Sequence, residues 1–257
     1  MVYFHGAPGA PGEAAVFDAC GKIHGVRILA FDRFVVEPSV RGDDYYRLLA
    51  SEIQRHTRGE KVVVVGFSIG AFVALQTCRH MAGSVARVHL VSAGAPLEAG
   101  DFLNAMAGKQ VFQLAQGFPF VFFLLSLWQG VLARWAPKAL FAMLFASAQG
   151  GDKRLAADAQ FRATLIEVLR SSFVGAVRGY TRDITAYVQP WKDSLAHMHF
   201  PVRVWHGLQD NWSPPAMATA LNEGLPQCES VTLLEGLSHY SCLLEAAPTI
   251  CGSQCVL

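Results

Sequence analysis

Lys61-Val62-Val63-Val64-Val65-Gly66-Phe67-Ser68-Ile69-Gly70-Ala71-Phe72-Val73-Ala74-Leu75 is the stretch on which the fold turns. Its first five residues are dominated by β-branched side chains and read as a strand buried on both faces. Ala71 to Leu75 opens a helix, and the serine falls at the turn between the two. A strand that runs straight into a helix must reverse within very few residues. A side chain at position 66 or 70 would then strike the neighbouring strand or helix, so the turn calls for glycine at both. The pattern Gly-x-Ser-x-Gly in this setting holds a serine hydroxyl exposed at the end of a strand.

Outward from that turn, Val2 to Phe4 and Val26 to Phe31 read as two earlier strands and Ala86 to Val91 as a later one. Asp43 to Arg58 reads as a crossover helix with Tyr45, Leu48, Leu49, Ile53 and His56 on one face, and Ile69 to His80 as the helix after the serine. The alternation predicts a parallel sheet with an α/β architecture. From Ala99 to about Gln189 no strand signal is found, only helical stretches broken at Gly117, Pro119, Gly130, Pro137, Gly150 and Gly151. This predicts a helical cap over 99–190, inserted into a core formed by 1–98 and 191–257. Strand signals resume at Val202 to Trp205 and Ser230 to Leu234, separated by a helix after Pro214 and Pro215. A last helix is expected over Ser241 to Ala246.

A serine hydroxyl is a poor nucleophile at neutral pH and needs a base, for which a neutral imidazole is suited. His239, just beyond the last strand in Glu235-Gly236-Leu237-Ser238-His239-Tyr240, is the candidate base. The imidazole in turn needs a carboxylate to fix its tautomer, and Asp210, which ends His206-Gly207-Leu208-Gln209-Asp210, is the candidate. Oxyanion donors would be the backbone N–H groups of Ile69 and of Ala7, the latter in the turn His5-Gly6-Ala7-Pro8-Gly9. His5 is expected to brace that turn and His206 the one before Asp210. His197 and His199 would share one side of a strand, but no third ligand accompanies them, so no metal site is assigned.

The remaining composition narrows the field. With 52% hydrophobic and 16% charged residues in 257, the chain can bury one large core. Lysine plus arginine number 21 against 20 acidic residues, a balance that gives no long-range pull on nucleic acid. The first residues lack a basic stretch followed by an apolar one, so no secretion signal is expected and the cytoplasm is the default compartment. The six cysteines lack paired spacing for zinc or a disulfide scaffold. The tail from Cys251 to Leu257 has Gln254 where a prenylation box needs cysteine, so lipidation is not expected. Phe118 to Ala133 is strongly apolar, but Pro119, Gln129 and Gly130 interrupt it and it is short for a span. It is expected to form a buried or pocket-lining helix, with interfacial membrane contact the next reading.

Taken together, these residues resemble the α/β-hydrolase superfamily, in particular its cap-bearing serine hydrolases such as esterases and proline iminopeptidases. The resemblance rests on residues 5–9, Asp32-Arg33, residues 66–70, residues 206–210 and Ser238-His239, with a weaker likeness at Arg178 to Asp183 and Pro190-Trp191. It implies a serine ester hydrolase needing no cofactor, with Ser68, His239 and Asp210 as triad and a small-molecule substrate. Phe67, Phe118, Phe122 and Trp128 are the candidate substrate contacts, and the aromatic richness of the insertion points to an apolar acyl or alcohol group. An aminopeptidase would need a carboxylate for the substrate ammonium, for which Glu98, Asp101 and Glu167 are available. Carbon-carbon bond hydrolysis and a non-catalytic ligand receptor are the other readings. The family's sheet normally starts with two antiparallel strands that are not seen here, which would leave an edge that a second subunit could cover.

Overall fold

The computed structural model describes residues 1–253; Gln254, on which the lipidation reading turned, lies outside them. Six strands, β1 (Val2–Phe4), β2 (Leu29–Ala30), β3 (Val62–Phe67), β4 (Val85–Val91), β5 (Val202–Gly207) and β6 (Cys228–Leu234), form one sheet. Their order is β2-β1-β3-β4-β5-β6 and all five pairings are parallel. Because the strands share one direction, every segment that leaves a strand's carboxyl end emerges along the same edge. Residue 5, residue 68, residue 92, residues 208–210 and residues 235–239 are thereby gathered on one rim.

Helices α1 (Asp18–His24), α2 (Gly42–Thr57), α3 (Ile69–Cys78), α4 (Lys109–Gly117), α5 (Pro119–Trp135), α6 (Pro137–Leu144), α7 (Gly150–Ala157), α8 (Ala159–Phe173), α9 (Val177–Tyr187), α10 (Ala216–Gly224) and α11 (His239–Gly252) complete the chain. Six of them, α4 to α9, lie between β4 and β5. Pro119 and Pro137 occupy first helical positions, where a missing N–H costs nothing. Gly130 does not break α5. A Cβ there would lie 3.3 Å from Val177 Cγ2, so the glycine lets α5 pack closely on α9.

Several expectations are corrected. The second strand is two residues rather than six. A 3-10 segment (Pro11–Phe17) and α1 precede it, neither of which was anticipated. Helix α2 buries Tyr45, Tyr46, Leu49, Ala50 and Ile53, while Leu48 and His56 face outward, so the buried arc is turned by about one residue from the expected one. Helix α11 runs through Pro248 to Gly252, well past Ala246. His197 ends a 3-10 turn (Lys192–His197) and is not on a strand with His199.

Candidate active site

β3 passes directly into α3, and the reversal is concentrated at Ser68, whose φ of +56° and ψ of −130° are strained for a residue with a Cβ. Backbone bonds hold it there. Ser68 N–H donates to Val91 O (3.0 Å), and Ser68 O accepts from Ala71 N–H (3.1 Å) and Gly94 N–H (3.3 Å). A Cβ at Gly66 would lie 2.6 Å from Ala71 Cα, and one at Gly70 would run into the carbonyls of Phe4 and His5 on β1 and the turn after it. The steric requirement read from the sequence is therefore met by helix backbone at one glycine and β1 backbone at the other.

The loops after β5 and β6 bring Asp210 and His239 together. His239 Nδ1 donates to Asp210 Oδ2 at 2.8 Å, and Asp210 Oδ1 accepts from Trp212 and Ser213 N–H, each at 2.9 Å. Both side chains are buried. Burial would raise the Asp210 carboxyl, but the adjoining His239 charge and these donors outweigh it and hold it below its ordinary value. Burial would likewise lower His239, yet the charge and bond of Asp210, with further help from Asp152 and Glu13, raise it above 6.5. Trp212 stacks on the imidazole (centroids 5.4 Å apart, planes at 20°) and Phe67 packs against it from another side. Among the described residues, Asp210 is the imidazole's one hydrogen-bond partner. His206 Nε2–H donates to Ser213 O at 2.7 Å and so fixes the turn beside Asp210.

The turn after β1 is gripped from two sides. Arg33, buried, donates from Nη1 to His5 O (2.7 Å) and from Nη2 to Gly6 O (3.1 Å), while its Nε meets Asp183 Oδ2 on α9 at 2.6 Å. Arg182 donates to Arg33 O (2.7 Å) and stacks over the Tyr45 ring. From below, Glu13 Oε2 accepts from Gly6 N–H (2.9 Å) and the Tyr3 hydroxyl (3.1 Å). Burial pushes the Glu13 carboxyl up to about 7 in spite of these donors. His5 Nδ1–H donates to Gly6 O at 2.9 Å, as a bracing residue should.

Three of these groups escaped the sequence reading. Glu13 stands alone between apolar residues with no pattern around it. The Arg33–Asp183 pair joins residues 150 positions apart. Asp152, at the start of α7, accepts from Tyr240 N–H (3.0 Å), Ser241 N–H (2.7 Å) and Ser241 Oγ (2.7 Å), which puts a carboxylate on the N-terminus of the helix that begins at His239. In the sequence it looks like an ordinary exposed residue of an amphipathic helix.

Ser68, Ala7 and Ile69 share the wall of a cavity of about 80 Å³, completed by Trp212 and Ser213 from the β5 loop and by Met106, Phe112, Gln129, Leu144 and Tyr180 from the insertion. None of the four aromatic substrate contacts expected from the sequence lies on that wall. Phe67 packs under His239, Phe122 is buried against Tyr180, and Phe118 and Trp128 are solvent-exposed. Glu98 accepts from Trp191 and Lys192 N–H, Asp101 from Asn104, and Glu167 pairs with Arg170, so none of the three carboxylates reaches the cavity. A larger concavity of about 770 Å³ lies at the amino ends of the strands, around Met1, Arg27, Lys61 and Val85, on the edge opposite Ser68.

Solved structures share this arrangement of elements across nearly the whole chain. The bromoperoxidase from Bacillus anthracis superposes with a TM-score of 0.69 at 17% identity, covering 99% of this chain and 89% of that one. The enol-lactonase from Burkholderia xenovorans LB400 gives 0.66 at 16%, covering 98% and 88%. A thermophilic esterase from Thermogutta terrifontis gives 0.64 at 14%, covering 98% and 86%. No curated protein matches the chain in sequence. The sequence profile of the alpha/beta hydrolase family matches residues 1–250, and with a single parallel sheet of the same kind beneath it the chain belongs to that family.

Proposed function

We propose that the protein is a serine hydrolase that cleaves a carboxylic ester of a small, largely apolar substrate through an acyl-enzyme. The observation that carries this reading is a serine held at positive φ on the wall of a small cavity, together with Trp212, which shares that wall and stacks on a buried imidazole already bonded to a carboxylate. Ser68 Oγ attacks the carbonyl carbon while His239 Nε2 takes its proton. The Asp210 carboxylate holds Nδ1 protonated and stabilises the imidazolium. The N–H groups of Ala7 and Ile69 receive the oxyanion; that of Ile69 is free of intrahelical bonds because it opens α3. The imidazolium then protonates the departing alkoxide, and water, activated by the same imidazole, hydrolyses the acyl-enzyme. The helical insertion over 99–190 serves as the cap that closes the cavity.

An ester is favoured over an aminoacyl substrate because, among the described residues, no carboxylate lines the cavity to receive an ammonium group. The test is a series of p-nitrophenyl esters of rising acyl length alongside prolyl p-nitroanilide. Short-chain esters should be turned over fastest, given a cavity of about 80 Å³. Faster release from the anilide would replace this reading with the aminopeptidase one.

A further inference from the structure

Helix α5 carries two faces whose separation is unusually clean. At 100° per residue, the buried Phe122, Ser126 and Ala133 fall on one arc, and Gln129, which reaches the cavity, borders it. Phe120, Leu124, Leu127, Trp128, Val131 and Trp135 fall on the opposite arc, about 100° wide, and all six are exposed, Phe120 at 72% and Trp135 at 77%. The stripe runs for about 22 Å at 1.5 Å per residue. A continuous apolar strip of that length on a folded surface marks a docking site.

The charges around the strip indicate what docks. Between Asp101 and Asp152 the chain has no carboxylate at all, while Lys109, Arg134 and Lys138 fall within that run. Arg134 and Lys138 are exposed at the carboxyl end of the stripe, where Arg170 of α8 adjoins Trp135. Exposed Arg178 lies beside Pro119 and Phe123 at its amino end. Among the described residues, the one carboxylate that lines the concavity with Trp135 is Glu167, and it pairs with Arg170. A second copy of the same face would offer these cations no counter-charge. Lipid phosphates would, and two tryptophans with exposed rings suit the headgroup boundary of a bilayer. No helix among the described residues is long and apolar enough to cross a membrane. The strip therefore fits a helix lying in the interface plane, its apolar arc inward and its cations level with the phosphates.

We propose that the outer face of α5 docks the protein on an anionic lipid surface, while Gln129 of the same helix contributes to the wall of the Ser68 cavity. This inference stands whether or not Ser68 is a nucleophile, because its test reads binding alone. Wild-type protein and Ser68→Ala are sedimented with phosphatidylcholine vesicles and with 3:1 phosphatidylcholine:phosphatidylglycerol vesicles, and self-association is measured without lipid. Both proteins should pellet with the anionic vesicles. The double variant Leu124→Glu/Val131→Glu should lose more than tenfold in partitioning with its melting temperature kept, and Arg134→Gln or Lys138→Gln should each lose roughly fivefold. If the glutamates lower the melting temperature, Leu124→Ser/Val131→Ser supplies the same comparison. Wild-type protein that stays in the supernatant, variants that pellet like wild type, or a lipid-indifferent dimer that the double variant splits into monomers would each overturn the proposal.

Discussion

Helices α3 and α5 are similarly apolar, yet they meet opposite surroundings. Every residue of α3 is buried, because it lies on the sheet and is flanked by α2 and α9. Helix α5 packs on α4, α6, α8 and α9 from one side only and leaves its other side bare. Apolar composition says that a helix wants neighbours, whereas topology decides on how many sides it gets them. The helix that carries the serine is thus locked, and the one over the cavity is half free.

The sharpest test of the locked region is Ser68→Ala. It should reduce kcat/KM for a p-nitrophenyl ester by about 10⁴-fold or more, with the circular dichroism spectrum unchanged. Next in size, Leu75→Ala in α3 should cost about 2–5 kcal/mol in urea unfolding, the cost of an unrelieved cavity in a fully enclosed helix. A smaller loss would mean that α3 is less confined than it looks.

Glu13 gives a pH-dependent version of the same comparison. Its folded carboxyl keeps its proton to about 7, whereas the unfolded one releases it near 4.5. Stability should therefore fall as pH rises from about 4.5 to 7 and then level off. Glu13→Gln should remove that slope and gain on the order of 2–3 kcal/mol at pH 8. Equal stability curves for the two proteins would contradict the assigned burial.

Asp152→Asn removes a carboxylate that helps to keep His239 protonated. In wild type the neutral base should appear only above the ordinary histidine value, so the acid limb of kcat/KM lies on the alkaline side of 6.5. In the variant that limb should move toward acid, with about tenfold lower activity from the loosened start of α11. The smallest effect belongs to the free region. Leu124→Ala on α5 should change unfolding free energy by no more than about 0.5 kcal/mol, since the side chain is half exposed.

The contrast also explains which parts of the molecule could be read from its sequence. Parallel strands buried on both faces leave continuous β-branched runs, so β3 and β4 and the turn at Ser68 were plain, and the order of Ser68, Asp210 and His239 followed from where each strand ends. β2 was overdrawn because, within residues 26–31, only Leu29 and Ala30 pair with β1, while Ile28 and Phe31 pack beside the sheet. The roles of Glu13, Asp152 and the Arg33–Asp183 pair were not legible, since Glu13 reaches back to a backbone N–H that any sequence possesses and the other two act across 88 residues or more. The aromatics of α5 were expected at the substrate, whereas Phe122 packs on Tyr180 and Trp128 faces solvent, for a related reason. A helical repeat records that a face is apolar but not whether anything covers it.

The central claim is that Ser68 is an activated nucleophile, and labelling with a fluorophosphonate followed by peptide mass mapping tests it most directly. An adduct on Ser68, formed faster as His239 loses its proton and absent from Ser68→Ala, is the predicted result. Folded protein that takes up no label at Ser68 across that pH range would contradict the account.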